Sequence, residues 1–301
     1  MSRIEVSVVV CTRNRATQLT ACLESIAAIE SERPWELVVV DNGSTDETPS
    51  VLGRAVETFP APFTSVVEPV AGVARARNHG WRTAVGEIVA YTDDDCYVPK
   101  DFVARIGAAF DANAQLGFFG GSVVRHDPHD DRVATVTRGE PFSFVPGMFI
   151  APGSLITSNL AFRKEVLASI GGFDEVFAYG NGLVSDDVDA VARASAAGWQ
   201  GYFDPDLVVR HHHGRRTPAE VARVRRAYDA GRGAFYAKSL LDPRLRRAYF
   251  KGWARVTVDQ LRHGESPAVT LRELGGAARY LAIRLGRETA PGARGRRPPR
   301  G

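Results

Sequence analysis

Cysteine is scarce in this chain. Cys11, Cys22 and Cys96 are the 3 present among 301 residues, odd in number and without the paired spacing of a zinc site. A disulfide framework is therefore excluded, and the three read as reduced packing residues. Long apolar runs are also missing, so no stretch reads as a membrane span. The opening, MSRIEVSVVV, carries Glu5 where a signal peptide would have its apolar core. The expected location is the cytosol.

What remains is the composition of an ordinary folded protein, with 44% hydrophobic and 24% charged residues. Its net charge of +3 hides a division. From residue 210 onward there are 22 Lys/Arg against 7 Asp/Glu, and before it 16 against 28. A basic final third suits an anionic partner, a lipid surface or nucleic acid, or docking on the acidic part of the same chain.

The densest chemistry lies in YTDDDC, residues 91–96, after a short apolar run, EIVAY. In an open α/β sheet ligands gather beyond the carboxyl ends of strands. Alternation along a strand would let Asp93 and Asp95 converge while Asp94 points elsewhere. Hard carboxylate ligands there suit Mg²⁺ or Mn²⁺ carrying substrate phosphates. An acidic turn capping the next helix explains the triplet too.

The chain before it alternates strand and helix. VSVVVC (6–11) and ELVVV (36–40) read as strands buried on both faces, ending in TRNR and DNGSTDET. Residues 18–28 and 48–57 read as helices, 63–67 as a third strand, and 72–84 as a helix interrupted by Gly80. Such βαβ alternation predicts a largely parallel sheet with helices on both faces. TRNR, Asp41 and the aspartate triplet would then meet at one sheet edge, as nucleotide-binding groups or as ordinary turn and surface residues.

VVVCTRNR, VVVDNGSTDET, GVARARNHG and YTDDDC, followed by SNLAFRKEVLASIGGFDE and SDDVDAVARASAAGW, resemble the inverting family 2 glycosyltransferases of GT-A fold over about residues 4–214. The resemblance implies a Rossmann-like catalytic domain, 1–214, with a nucleotide-sugar half (1–98) and an acceptor half (99–214). It implies a UDP- or dTDP-sugar donor and a hydroxyl acceptor, whether glycan, lipid-linked saccharide or natural product, and a place in cell-envelope polysaccharide synthesis. By it, Thr12, Arg13 and Arg15 line the nucleotide pocket, Asp41 meets the base, Arg75 faces base or diphosphate, and Asp93 meets the ribose. Asp94 and Asn159 are substrate-side, and Asp95 and Asp93 hold Mn²⁺ or Mg²⁺. Asp187 falls on the family's catalytic base, with Asp186 where Glu is commoner and its role open; a helix N-cap would also explain the pair. Asp189 reads as surface. At the end of the strand around 207–210, HHHGRR offers His211 as a third metal ligand, with His213 as alternate or the cluster merely solvated.

Residues 126–153 read as a long irregular segment, the expected seat of acceptor selection. Residues 215–289 read as a basic helical extension that either lies on an anionic bilayer or covers the catalytic domain, and 290–301 as a disordered tail. Two rivals stand beside the transferase. A nucleotidyltransferase would carry a glycine-rich loop after the first strand, whereas TRNR has no glycine. A catalytically silent nucleotide-sugar or nucleic-acid binder would tolerate loss of Asp187, and the tail has no zinc-finger or RNP signature.

Overall fold

The structure, a computed structural model, describes residues 3–177, 182–264 and 266–289. The expected tail 290–301 lies outside them. Strand β1 (Val6–Thr12) pairs in parallel with β2 (Trp35–Asp41) on one side and β4 (Ile88–Asp93) on the other, and β3 (Phe63–Val67) continues the parallel set beyond β2. Register puts Thr12 opposite Asp41 and Cys11 opposite Asp93, so the polar strand ends share one edge.

Alternate residues of β1 serve two cores. Val6, Val8 and Val10 pack with α1 (Ala16–Ala27) and α4 (Phe102–Ala112), while Val9 faces the layer of α3 (Val73–Thr83), so both faces of the strand are buried. Helix α2 (Thr48–Thr58) adds Leu52 to the first layer. Gly80 does not interrupt α3. It lets the helix approach β1, since a Cβ there would lie 2.5 Å from Val9 Cγ1.

The second half departs from the parallel pattern. The sheet continues from β4 through β8 (Leu160–Arg163), β6 (Leu116–Arg125) and β9 (Gln200–His211) to the short β5 (Cys96–Tyr97), with β7 (Phe142–Phe144) on β9. β8 runs against both neighbours, as do β5 and β7 against β9. The reason is the connection: residues 126–159 return from β6 to β8 without the α-helical crossover that a parallel neighbour usually needs. That segment is also less irregular than expected, since it holds β7 and a bridge between Val123 and Val136. Cys96 opposite His211 is the pairing that brings the last strand to the aspartate triplet.

Helices α5 (Lys164–Ile170) and α6 (Asp186–Ala196) complete the second layer. α7 (Pro218–Leu241) is one helix of 24 residues, opened by a capping box between Thr217 and Glu220 with Pro218 in its first turn. α8 (Arg246–Arg262) and α9 (Ala268–Thr289) follow. Phe235, Tyr236, Tyr249 and Tyr280 from these helices are buried in the same core as α6. Among the described residues no helix is long and apolar enough to cross a membrane.

Candidate active site

β4 delivers Asp93, and a tight turn carries Asp94 and Asp95 into β5. The turn breaks strand alternation, which corrects the expectation for Asp94: it faces the same guanidinium as its neighbour. Arg15 Nη1 donates to Asp94 Oδ1 at 2.9 Å and to Asp95 Oδ2 at 2.6 Å. Burial pushes the Asp94 carboxyl up to about 6, with Arg15 opposing and the Asp95 charge adding to the rise. Burial also disfavours ionised Asp95, but the His211 hydrogen bond and charge, with Arg15, outweigh it and hold this carboxyl well below the usual range.

Ligand atoms of Asp93, Asp95, Cys96 and His211 lie within 4.8 Å of one another. Burial, with the charges of Asp93 and Asp95, keeps the Cys96 thiol protonated, leaving two carboxylates and an imidazole. His211 Nε2 is 3.0 Å from Asp95 Oδ1, close to the edge of an octahedron whose bonds are ~2.1 Å long. The other ring nitrogen, Nδ1, faces the carbonyl of Ala134 at 3.2 Å. Ala134 holds a left-handed backbone (φ 53), a strained conformation for a residue with a Cβ, and its carbonyl orients the ring. These donors fit a hard divalent cation. His213 does not join them. Its Nε2 donates to the Asp131 carbonyl at 3.0 Å and its Nδ1 accepts from Arg215 N at 3.0 Å, so both nitrogens are committed. Burial and the His211 charge lower its pKa further.

Arg77, buried on α3, joins this group to the second acidic pair. Its Nη2 is 3.4 Å from Asp93 Oδ1, and its Nη1 donates to Asp186 Oδ2. Asp93 is also fixed by Ser158, whose Oγ donates to Oδ2 at 2.5 Å. Asp186 is buried as the counter-ion of Arg77; Asp187 beside it is half-buried and lines the open space. Its Oδ1 accepts from the next backbone amide, Val188 N, at 2.7 Å within the first turn of α6, whose N-cap position is Ser185. Burial and the Asp186 charge raise the Asp187 carboxyl to about 7, against the pull of Arg77.

A cavity of about 850 Å³ contains both acidic groups. Thr12, Arg13 and Asn42 line it at the sheet edge, and Arg75 lines it while bound to Glu175. Asp41 stands behind that wall, buried, with Oδ1 accepting from Ser44 N at 2.8 Å. Asn159 is not a substrate contact in this structure. It is 1% exposed, and its Nδ2 donates to the carbonyls of Ser122 at 3.0 Å and Leu207 at 2.9 Å, tying β6 to β9 beside their bulge. Asp189 is likewise buried, held by Arg193 at 2.7 Å and Lys238 at 2.6 Å, a correction to its surface reading. Sequence reasoning missed Arg77 as the bridge, Ser158, and the α7 residues Tyr228 and Arg232 on the cavity wall.

With this geometry in view, the similarities to known proteins are specific. The N-acetylglucosaminyl-diphospho-decaprenol L-rhamnosyltransferase of Mycobacterium tuberculosis is 26% identical over 71% of this chain and 78% of its own length. The mannosyltransferase PcManGT from Pyrobaculum calidifontis, solved with GDP-Man and Mn²⁺, superposes with a TM-score of 0.62 at 24% identity over 98% of this chain and 83% of that one. TarS of S. aureus (residues 1–349) with UDP-GlcNAc gives 0.59 at 16% identity over 81% of this chain and 69% of that one. The chain spans 55%, 26% and 66% of the lengths of the first three curated relatives it matches. The sequence profile of Glycosyl transferase family 2 matches residues 7–171, more than half of the chain, so this protein is a member of that family, and its fold is of GT-A type.

Proposed function

We propose that the protein moves a sugar from a nucleoside-diphosphate donor to an acceptor hydroxyl with inversion at the anomeric carbon. The observation that carries this reading is the arrangement of one cavity, with a cation-ligand group at one end, Asp187 at the other, and Arg77 bound to both sides. Asp93, Asp95 and His211 would hold Mn²⁺ or Mg²⁺, which when bound offsets the charge gathering on the departing diphosphate. Arg13, Arg15 and Thr12 lie where the nucleotide would sit, and Asp41 supports the loop behind the base. Asp187, with its acidity near neutrality, takes the proton of the attacking hydroxyl. Asp186 is spent on Arg77 and keeps Asp187 from pairing with it.

The donor base is read as uracil or thymine. Release of nucleoside diphosphate from a panel of UDP-, dTDP- and GDP-sugars, with Mn²⁺, Mg²⁺ or EDTA, tests donor and cation together. Metal-dependent release from one donor, lost in Asp95→Ala, supports the reading. Equal turnover by Asp187→Asn toward an acceptor would make the assigned base wrong, whereas no turnover of any donor by the parent, with nucleotide still bound, would favour a silent binder.

The acceptor is read as lipid-linked, with the protein at the inner face of the plasma membrane. The mycobacterial relative is named for a substrate linked to diphospho-decaprenol. Here α8 exposes Phe250 and Val258 together with Arg247, Lys251, Arg255 and Arg262, a face suited to anionic lipid. Sedimentation with phosphatidylglycerol vesicles, absent with phosphatidylcholine, is the expected result.

A further inference from the structure

Two arginines of α3 hold acids from the second half of the chain, and the two pairs differ. Arg77 and Asp186 are shut in, with side chains 9% and 3% exposed. Arg75 and Glu175, both on the cavity wall, are 41% and 34% exposed. An ion pair that open to solvent contributes little to folding. The fold nonetheless fixes where Glu175 stands.

The turn that carries it is clamped from three helices. Asn78 of α3 binds both backbone groups of Phe173, its Nδ2 donating to the carbonyl at 2.8 Å and its Oδ1 accepting from the amide at 2.8 Å. Gly172, with φ 74, makes room for this, since a Cβ there would collide with Asn78 Oδ1. From α6, Arg193 donates to the carbonyls of Ile170 at 2.5 Å and Gly172 at 2.7 Å. From α7, Lys238 reaches Asp174 at 2.8 Å and Asp189 at 2.6 Å, tying the turn to the first turn of the helix that bears Asp187. The guanidinium carbon of Arg77, the group that touches Asp93 and Asp186, lies 5.9 Å from the centroid of the Phe173 ring. Residues 173 and 174 therefore border the middle of the cavity and the helix of the base, and Glu175 follows them on its wall.

Among the described residues Glu175 Oε2 accepts from Arg75, and Oε1 has no hydrogen-bond partner. Arg15 and Arg77 are engaged with Asp93, Asp94, Asp95 and Asp186, so neither replaces Arg75 at Glu175. A carboxylate only accepts, and hydroxyl groups on neighbouring carbons can meet both of its oxygens. A diphosphate binds a guanidinium more strongly than one carboxylate does, because it carries more charge. A sugar in transfer lies between the diphosphate, at the cation ligands, and Asp187, the span that this turn borders. We propose that Glu175 accepts hydrogen bonds from hydroxyls of the transferred sugar, and that Arg75 passes from Glu175 to the donor diphosphate as the donor binds. This rests on the transferase reading and adds a residue that selects the sugar.

Calorimetry on the full chain with Mn²⁺ tests it, comparing UDP, dTDP and GDP with UDP-glucose, UDP-galactose, UDP-N-acetylglucosamine, dTDP-rhamnose and GDP-mannose. For the nucleotide-sugar that the unaltered protein prefers, Glu175→Gln and Glu175→Ala should lower affinity, relative to the matching nucleoside diphosphate, by at least ~10-fold, as the loss of charge-assisted hydrogen bonds requires. The same variants should bind the nucleoside diphosphate alone no more weakly than before, since Arg75 then has no carboxylate to leave. Arg75→Gln should do the reverse, weakening the nucleoside diphosphate about tenfold while the ratio of the two affinities holds. A mere brace between the two halves predicts something else, a parallel loss of both ligands in Glu175→Gln. That parallel loss, or an unchanged ratio in either variant once circular dichroism shows it folded, overturns the proposal. Nucleoside diphosphate binding and slow nucleotide-sugar hydrolysis by the unaltered protein report on the transferase reading separately, and a protein that bound none of these ligands would end both.

Discussion

His211, the last residue of β9, meets Asp95, the residue before β5, Nε2 to Oδ1 at 3.0 Å, and Tyr97 and His212, 115 positions apart, make contact one step along. The distance is that of two ligands in adjacent positions on one ion. His211→Ala should weaken Mn²⁺ binding by ~10–100-fold, read by calorimetry or by the electron paramagnetic resonance of free Mn²⁺. His213→Ala should not, because neither of its ring nitrogens is available. Equal losses from both would remove the distinction.

Arg77→Ala leaves Asp186, 2% exposed, without its counter-ion. Breaking a buried pair in this way costs ~3–5 kcal/mol. Urea unfolding should show the free energy of unfolding falling by that amount at neutral pH, and Arg77→Lys, which keeps the charge but not the fork, should recover only part of it.

Asp187 gives a pH signature with a defined sign. In the unfolded chain its carboxyl ionises in the ordinary range; in the fold burial and Asp186 raise it to about 7. The fold therefore retains a proton that the unfolded chain has released. Its stabilising contribution is complete below the ordinary carboxylate range and is lost as pH rises through about 7. Asp187→Asn should match the parent near pH 4 and exceed it by ~1–2 kcal/mol above pH 8, measured by thermal unfolding. Catalysis runs the other way: transfer should climb with pH through about 7 in the parent, and fall ~10²–10⁴-fold in Asp187→Asn.

Gly80→Ala sets helix propensity against packing. Alanine gains ~1 kcal/mol inside a helix. A methyl 2.5 Å from Val9 Cγ1, in a fully buried layer, costs ~1–3 kcal/mol. The net expectation is a lower melting temperature, and a rise would mean that α3 can shift away from β1.

The parts read correctly from sequence were those fixed locally. The β-branched run at 6–11 defines β1, and the apolar positions 19, 22, 23 and 26 define the buried side of α1. Contacts between distant segments were not legible. Arg75 and Arg77 sit on the same helix, and the buried one, Arg77, is paired with Asp186, 109 positions away, as well as with Asp93. Asn159 looked like a ligand contact because nothing local shows that two carbonyls beside a bulge need its amide. Gly231 and Gly233 resemble a break in α7. They are points of close approach instead, since a Cβ on Gly233 would lie 1.7 Å from the Glu273 carbonyl oxygen.

The shared guanidinium of Arg77 makes the two ends of the cavity thermodynamically dependent on each other. Asp93 raises the pKa of Asp187 and Arg77 lowers it. A cation held by Asp93 would cancel the first influence and leave Arg77 free for the second, so the proposed base would turn toward its ionised form once the cation and donor are bound. By linkage the converse holds with equal energy: loss of the Asp187 proton tightens cation binding. A base that becomes competent only once the donor is seated would keep the acceptor hydroxyl idle until there is a sugar for it to attack.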